Sequence, residues 1–495
     1  MDASAIVVGA GPAGLALAGE LRLAGADVVV LDRLTARSGE SRGLGFTVRT
    51  LETFDQRGLL PRFPQLQTTT RGHFGGIPLD LAVLGGQARA VQGIPQSVTE
   101  KVLEDWVRDL GGDIRFGHEM LDLKQDEDSV QVRIRTAGGE QHLRARYLVG
   151  ADGGRSRVRE RAGIAFPGSE PTTELLLADI RGADITPRMT GQVLANGMVM
   201  AAPLGDGVNR VIICERGAEP RRRTAPPLFS EVAEAWKRLT GTDISHAEAI
   251  WVSAFTDTAR LAEQYRRGRV LLTGDAAHVH LPAGGQGMNT SIQDAVNLGW
   301  KLAAVLRGAA PESLLDTYHT ERHEVGRQLL ANTQAQARLI LGGEEAQPIR
   351  DVLTELMAHE PVRRHLAAKV SGLDIRYDVG AGAHPLLGAR LPRLTVLARD
   401  RPSDTAALLR PGRGVLLDLD DNPWLRRRAF GWRDRVDIVT ASPRDPQSLE
   451  SLAGATAVLV RPDGYVAWAA PGTRYDLPTA LNRWFGPARA RNQEK

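Results

Sequence analysis

One cysteine, Cys214, stands in a chain of 495 residues. That excludes an internal disulfide framework, a cysteine-based zinc site and a Cys-x-x-Cys redox pair, so any redox chemistry must be carried by a bound cofactor. Lysine is scarce too, with six residues against 56 arginines, and the net charge is only +3. Spread over this length, such a charge gives no footprint for nucleic acid. No apolar run approaches the ~18 residues of a membrane span. The first residues carry neither a basic stretch nor a cleavage pattern. Nucleic acid and membrane are therefore not expected as partners, and the expected compartment is the cytoplasm. Disorder is excluded by an apolar fraction of 42% with so little net charge.

What the chain has in excess is glycine, at 53 residues, against a usual ~7%. That points to tight turns and close backbone approaches. The length exceeds one ordinary domain. Residues 5–8, 13–24 and 28–31 read as strand, helix and strand, a βαβ unit that requires a parallel sheet. Residues 72–84 read as an edge or bent strand because of Gly75, Gly76 and Pro78. A helix covers 96–110, and a meander of strands covers 113–135 and 141–149. Between 165 and 260, strand-like runs alternate with turns, as in a mostly antiparallel sheet. A buried strand returns at 269–273, followed by long helices over 288–306 and 313–340. Residues 380–392, rich in Gly, Pro and Ala, read as a linker. Four strands within 414–468, with helices near 421–429 and 477–484, form a small α/β domain.

Three motifs carry chemistry. The first is Gly9-Ala10-Gly11-Pro12-Ala13-Gly14, directly after a strand and opening a helix. Gly9 allows the tight turn, Gly11 lets backbone approach a pyrophosphate, and Gly14 allows helix–sheet packing. An acid is expected about 20 residues on, for ribose hydroxyls; Asp32 follows the second strand. Together these indicate an adenine dinucleotide, without choosing between FAD and NAD(P). The second motif is the strand end Gly150-Ala151-Asp152-Gly153-Gly154 with the basic run that follows it. The third is Thr273-Gly274-Asp275, with Pro282-Ala283-Gly284-Gly285-Gln286-Gly287-Met288-Asn289 entering a helix whose N-terminus can stabilise negative charge.

In this order and at these separations, the three motifs resemble those of the group A flavoprotein monooxygenases, the aromatic hydroxylases of the p-hydroxybenzoate hydroxylase fold. The stretches 39–46 and 281–302 are most similar to hydroxylases of aromatic polyketides of the angucycline type. The resemblance implies an α/β chain with a Rossmann-like FAD-binding domain (1–71, 96–164 and 265–390). It implies an interleaved α+β substrate domain with an antiparallel sheet (72–95 and 165–264) and a thioredoxin-like C-terminal domain (391–495). It places Gly9, Gly11, Pro12, Ala13 and Gly14 at the FAD pyrophosphate, Asp32 on the ribose, Arg33 beside the adenine and Arg42 on the diphosphate. Gln96 is implied at the ribityl chain or flavin edge, and Met120 at the adenine through its backbone. Asp152 belongs to a motif shared between FAD and NADPH, and Asp275 is implied on the ribityl or ribose hydroxyls. Pro282, Gly285, Gln286, Gly287, Met288 and Asn289 are implied along the flavin ring. His73, Phe74, Pro78, Phe255 and Pro282 are expected to line the substrate cavity; no catalytic acid or base is identified.

The activity so implied is hydroxylation of a polycyclic aromatic polyketide, an angucyclinone, in antibiotic biosynthesis. NADPH is the transient electron donor, O2 the oxidant, and the chemistry runs through a flavin C4a-hydroperoxide. Baeyer–Villiger insertion, inactivation of an antibiotic, or non-catalytic polyketide binding are the alternatives on this fold; a homodimer is the one protein partnership left open. Several other patterns lose to plainer readings. Gly39-Glu40-Ser41-Arg42-Gly43 fits a hydrolase elbow in letters only, because no strand precedes it. His278-Val279-His280 lacks the further ligands of a metal site, and no metal is expected. Asp418, Asp420 and Asp421 lack the rest of a calcium loop. Without a cysteine after Cys214, the C-terminal domain has a structural or interface role, not a thiol one.

Overall fold

The computed structural model describes residues 1–40, 43–85, 88–398, 401–473 and 476–489. Arg42, expected at the diphosphate, lies outside the described residues. Among the described residues the largest sheet has eight strands, and its spine is parallel. Val270–Leu272, Gly139–Gly150, Ala3–Val8, Val28–Leu31 and Asp113–Arg115 lie side by side in that order. The central stretches Ala3–Val8, Val28–Leu31 and Val270–Leu272 are rich in Val, Ile, Leu and Ala and nearly wholly buried, as expected for a parallel sheet covered on both faces. Helix Pro12–Leu23 packs on it, with helix Gln286–Leu306 against that helix: a Cβ on Gly299 would lie 2.3 Å from Glu20 Cβ. Glycine at 299 is what lets the two helices meet so closely.

A second sheet, five-stranded and antiparallel, runs Arg188–Leu194, Gly197–Gly205, Val208–Glu215, Glu174–Arg181, Glu248–Thr256. Alternation gives it two different faces. Ala178, Ile180, Val199, Ala201, Val211 and Ile213 pack under helix Phe229–Thr240, around Trp236. The intervening residues Leu175, Met198, Met200, Ile212, Cys214 and Phe255 turn the other way and meet Leu281, Ala283, Ala337 and Ile340. The lone cysteine is thus a small core hydrophobe, its thiol pushed up to about 11 by burial.

The C-terminal region is a thioredoxin-like sheet. Val436–Pro443, Gly414–Asp418, Ala457–Val460 and Val466–Ala470 are adjacent; the first pair is parallel and the others antiparallel. Thr395–Ala398 and Arg401–Asp404 extend its edge. The expected linker at 380–392 is corrected here. Leu386 and Leu391 are buried in the core of the C-terminal sheet, and backbone bridges tie Arg376 to Ala389, Gly382 to Thr473 and Arg390 to Tyr465. Its glycines and prolines shape a packed connection rather than a tether.

Charged residues hold this sheet to the helices Gln286–Leu306 and Asp316–Leu341. Arg461 is fully buried and donates to Glu321 Oε2 at 2.9 Å and Asp463 Oδ1 at 3.1 Å. Lys301 Nζ donates to the same Glu321 oxygen at 2.8 Å and to Asn297 Oδ1 at 2.8 Å. Arg461 also lies over the Trp484 ring at 4.5 Å and the Tyr377 ring at 5.0 Å. Nearby, Arg57 grips Glu20 at 2.5 and 2.9 Å and donates to the Pro462 carbonyl at 2.8 Å.

Burial pushes the Glu321 carboxyl up, but the Arg461 and Lys301 cations outweigh it and hold the group at about 2. Between the ordinary carboxylate range and that value the unfolded chain takes a proton that the folded chain refuses. This contribution to stability is therefore complete at neutral pH and lost as acid is added. Glu321→Gln is expected to flatten the loss of stability between about pH 4.5 and 2, measured by chemical denaturation at stepped pH. Glu321→Ala leaves Lys301 without its carboxylate and is expected to cost about 3–5 kcal/mol, lowering the thermal midpoint; an unchanged midpoint contradicts the role given to this cluster.

Candidate flavin and substrate site

The three sequence motifs leave the parallel sheet at one end. Val8 pairs with Gly150, and Gly150 with Leu272, so Gly9, Ala151 and Thr273 follow in register. The turns are then jammed against one another. A Cβ on Gly9 (φ +108°) would sit 2.3 Å from the Ala151 carbonyl oxygen, and one on Gly14 1.9 Å from the Gly9 carbonyl oxygen. One on Gly274 would meet Ala13 Cβ at 2.9 Å and Ser291 Cβ at 3.1 Å. Gly9 and Gly14 are fixed by backbone contact, and Gly274 by the Ala13 and Ser291 side chains.

Gly11, Gly153 and Gly285 show the opposite: a Cβ on any of them would meet nothing within 4 Å. Closed inside and open outside, the loops make a cradle. Gly11 precedes helix Pro12–Leu23 and Gly285 precedes helix Gln286–Leu306, both without a side-chain cap, so the first N–H groups of each helix face the open side. Such N–H groups can hold a diphosphate or an electron-rich ring edge.

Carboxylates fix the loops around this space. Asp32 accepts the Ala10 N–H at 2.8 Å and the Leu34 N–H at 2.9 Å, which sets it against the first glycine turn; Arg33 beside it is exposed. Asp152 accepts the Ser156 hydroxyl at 2.5 Å and the Val158 N–H at 3.1 Å, and burial raises its pKa. Asp275 is exposed in the short turn Gly274–Ala276. Arg159 clamps the second and third motifs together, donating to the carbonyls of Gly154 at 2.9 Å and Ala276 at 2.8 Å. Met120 is buried in strand Glu119–Gln125, its carbonyl accepting from Arg157 at 3.0 Å.

On the flavin-loop side, Gln96 opens helix Gln96–Asp109 and accepts the Gly43 N–H at 3.3 Å. A Cβ on Gly43 would lie 3.1 Å from Met288 Cε, so Gln96 and Met288 flank the same turn. Asn289 accepts the Thr47 N–H at 2.9 Å and donates to the Gly285 carbonyl at 2.8 Å. Pro282 and Gly285 bound a 3-10 turn in which Gly284 and Gly285 have φ of +70° and +66°. A Cβ on Gly287 would lie 3.6 Å from His280 Nε2.

Sequence reasoning passed over the group that holds this turn from behind. Asp294, fully buried, accepts from Arg322 Nε at 2.6 Å, from the Gly274 N–H at 3.3 Å, and contacts His278 Nε2 at 2.6 Å. Arg322 in turn donates to the Tyr377 hydroxyl at 3.0 Å. Burial raises the Asp294 pKa, but Arg322 and His278 outweigh it and the net shift is downward. Among the described residues no cluster of three metal-ligating side chains exists; His278 is committed to Asp294. The helical spacing of Asp294 and Asn297 inside an otherwise apolar run was the available signal.

Of the residues expected to line the substrate cavity, Phe255 packs against the cluster of Leu175, Met198, Cys214 and Leu281, whereas Pro282, next to Leu281, is exposed. His73 accepts the Gly76 N–H at 3.3 Å on the hairpin Arg71–Phe74/Ile77–Asp80, and burial lowers its pKa. Phe74 packs elsewhere, with Ile77, Leu79, Leu339 and Leu366. Pro78 is exposed opposite His73.

Residues 2–333 match the family model of the FAD binding domain, and residues 384–488 that of the C-terminal domain of aromatic-ring hydroxylases. The chain belongs to the FAD-dependent aromatic-ring hydroxylases. Within this family it is similar to CabE, an aromatic hydroxylase from angucycline biosynthesis. The two are 60% identical, with a TM-score of 0.97 over 99% of this chain and 100% of that one. It is 42% identical to the 12-dehydrotetracycline 5-monooxygenase/anhydrotetracycline 6-monooxygenase of Streptomyces rimosus, over 97% of this chain and 98% of the relative. A dialkyldecalin synthase of Streptomyces rugosporus is 39% identical over 99% of this chain and all of its own length. The chain is an FAD-dependent aromatic monooxygenase, and the open glycine cradle fits that cofactor. No helix among the described residues is long and apolar enough to cross a membrane.

Gly14→Ala is expected to force the Gly9 turn out of place, since its Cβ would fall 1.9 Å from backbone oxygen. Protein purified from this variant is expected to carry little flavin by absorbance. Full flavin content contradicts the cradle as described.

Proposed function

We propose that this monooxygenase hydroxylates a polycyclic aromatic polyketide, an angucyclinone, in antibiotic biosynthesis, taking electrons from NADPH and oxygen from O2. The observation that carries the reading is the apolar face of the five-stranded sheet. Leu175, Met198, Met200, Ile212 and Phe255 oppose Leu281 and Ala283 of the flavin loop, making a wall suited to flat fused rings beside the ring edge of the cofactor. Similarity to CabE supports the angucycline assignment.

When bound, FAD supplies the electron store and the place where O2 is activated for transfer to an electron-rich ring. In this reading Gly9, Gly11, Pro12, Ala13 and Gly14 receive the diphosphate and Asp32 the ribose, with Arg33 and the Met120 backbone near the adenine. Asp152 shapes the shared dinucleotide turn, Asp275 binds ribityl or ribose hydroxyls, and Gln96 meets the ribityl chain or the flavin edge. Pro282 and residues 285–289 line the flavin ring through their backbone, whose N–H groups at the helix start stabilise negative charge on it. The apolar sheet face keeps water from the reacting centre, which protects a reactive oxygen donor from wasteful decay. His280, held neutral down to about 4 by burial, adds no cation there near neutral pH.

The test is turnover of FAD-loaded protein with NADPH and angucyclinone substrates under 18O-labelled O2. One labelled oxygen is expected in a phenolic product, located by NMR. A lactone product favours Baeyer–Villiger insertion, and conversion without label contradicts oxygen transfer. Asp275→Ala is expected to weaken FAD retention, whereas His73→Ala is expected to change substrate affinity with FAD content intact. Wild-type behaviour of either variant removes that residue from the site.

A further inference from the structure

Two side-chain amides beside the flavin loop have NH2 groups with no partner. Gln286 begins helix Gln286–Leu306, and Gln336 lies on helix Asp316–Leu341. They are 6% and 0% exposed, and the Nε2 atom of each is buried without a hydrogen-bond partner. The Gln336 amide is oriented from its other end. Gln336 Oε1 accepts the backbone N–H of Gly75 at 3.1 Å; rotating that amide would set NH2 against N–H. Gln286 Oε1 accepts from Asn332 Nδ2 at 3.2 Å.

Both amides converge on Gly284. A Cβ there would lie 3.2 Å from Gln286 Nε2, 3.3 Å from Gln336 Oε1 and 3.6 Å from Gln336 Nε2. Folded proteins bury few polar groups without partners, so two neighbouring donors at one loop call for an acceptor from outside the chain. Their neighbours say what kind of molecule brings it. Ala337 and Ile340 follow Gln336 on its helix, and Leu281 and Ala283 precede Gln286. All four belong to the apolar cluster that faces the five-stranded sheet. The donors therefore stand at the edge of the wall assigned above to fused aromatic rings.

We propose that the Gln286 and Gln336 amides donate hydrogen bonds to oxygen on the aromatic substrate, a quinone carbonyl or a phenolate, and so fix which ring edge meets the flavin loop. They are specificity-determining residues rather than acid–base groups, because a carboxamide neither gives up nor takes a proton. The assignment rests on the polyketide reading above and adds the oxygen pattern that the site selects.

The experiment measures equilibrium binding to FAD-loaded protein of two probes, 1,8-dihydroxyanthraquinone and anthracene, which share three fused rings and differ in oxygen. Gln336→Leu is expected to bind the quinone about tenfold more weakly, the effect of one lost hydrogen bond to a buried donor. Its anthracene affinity and FAD content are expected to match the wild type. If Gln336→Leu does not accumulate with FAD, Gln336→Met, unbranched like glutamine and equally without a donor, is measured instead with the same expectation. Equal weakening of both probes assigns Gln336 to packing, and no weakening of either means that the amides are satisfied within the protein by water. Both results overturn the donor assignment while leaving the polyketide reading standing. Failure of the FAD-loaded wild type to bind either probe overturns the polyketide reading and the donor assignment together.

Discussion

Backbone packed on backbone at the end of a parallel sheet is the constraint on which the rest of this molecule depends. Gly9, Gly14 and Ala151 approach so closely that a single methyl at either glycine would overlap a carbonyl oxygen. Because Val8, Gly150 and Leu272 are in register on adjacent strands, three loops far apart in sequence reach the same place. Gly274 adds the third loop by packing on Ala13 and Ser291. Open space then remains only on the outer side, at Gly11, Gly153 and Gly285, beside two uncapped helix starts. In the proposed reading the cofactor occupies the gap left by glycines that had to be glycine for packing reasons.

Charge does the work of holding these loops from behind, and it gives a few of the 56 arginines a physical cause. Arg49, Arg210, Arg322 and Arg461 are among the largest fully buried side chains. Arg210 grips Asp179 with two bonds of 2.7 Å across neighbouring strands. Arg322 links Asp294 to Tyr377, and Arg461, stacked on Tyr377, links Glu321 to Asp463. A planar fork of donors suits such sites, where one guanidinium spans two partners. Through Tyr377 the buried chain runs from the C-terminal sheet to the Gly274 turn, so a domain without reactive cysteine still bears on the flavin region.

Much of this was legible in the sequence, and the limits have physical causes. The βαβ unit and its glycines were readable because strand, turn, helix and acid are consecutive, and each is demanded by local geometry. The antiparallel sheet was readable as alternating runs, though which face met the flavin loop was not: that depends on the partners Leu281 and Ala337, distant in the chain. Asp294, Glu321 and Arg461 were invisible as a system, since Arg461 and Glu321 lie 140 residues apart and each alone looks like a solvated charge. Residues 380–392 were misread as a linker because glycine and proline mark turns equally well in packed and free segments; burial of Leu386 and Leu391 decided the matter. Phe74 and Pro78 were chosen from one strand-like stretch, yet alternation in a hairpin sends Phe74 into a separate core and leaves Pro78 on the surface.

The account stands most directly on what the glycine cradle holds. Releasing the cofactor from purified protein by heat, and identifying and counting it by chromatography, measures this without assuming a substrate. The structure predicts FAD, one per chain. A nicotinamide dinucleotide in its place, FMN alone, or a chain that cannot take up added FAD would contradict the central claim.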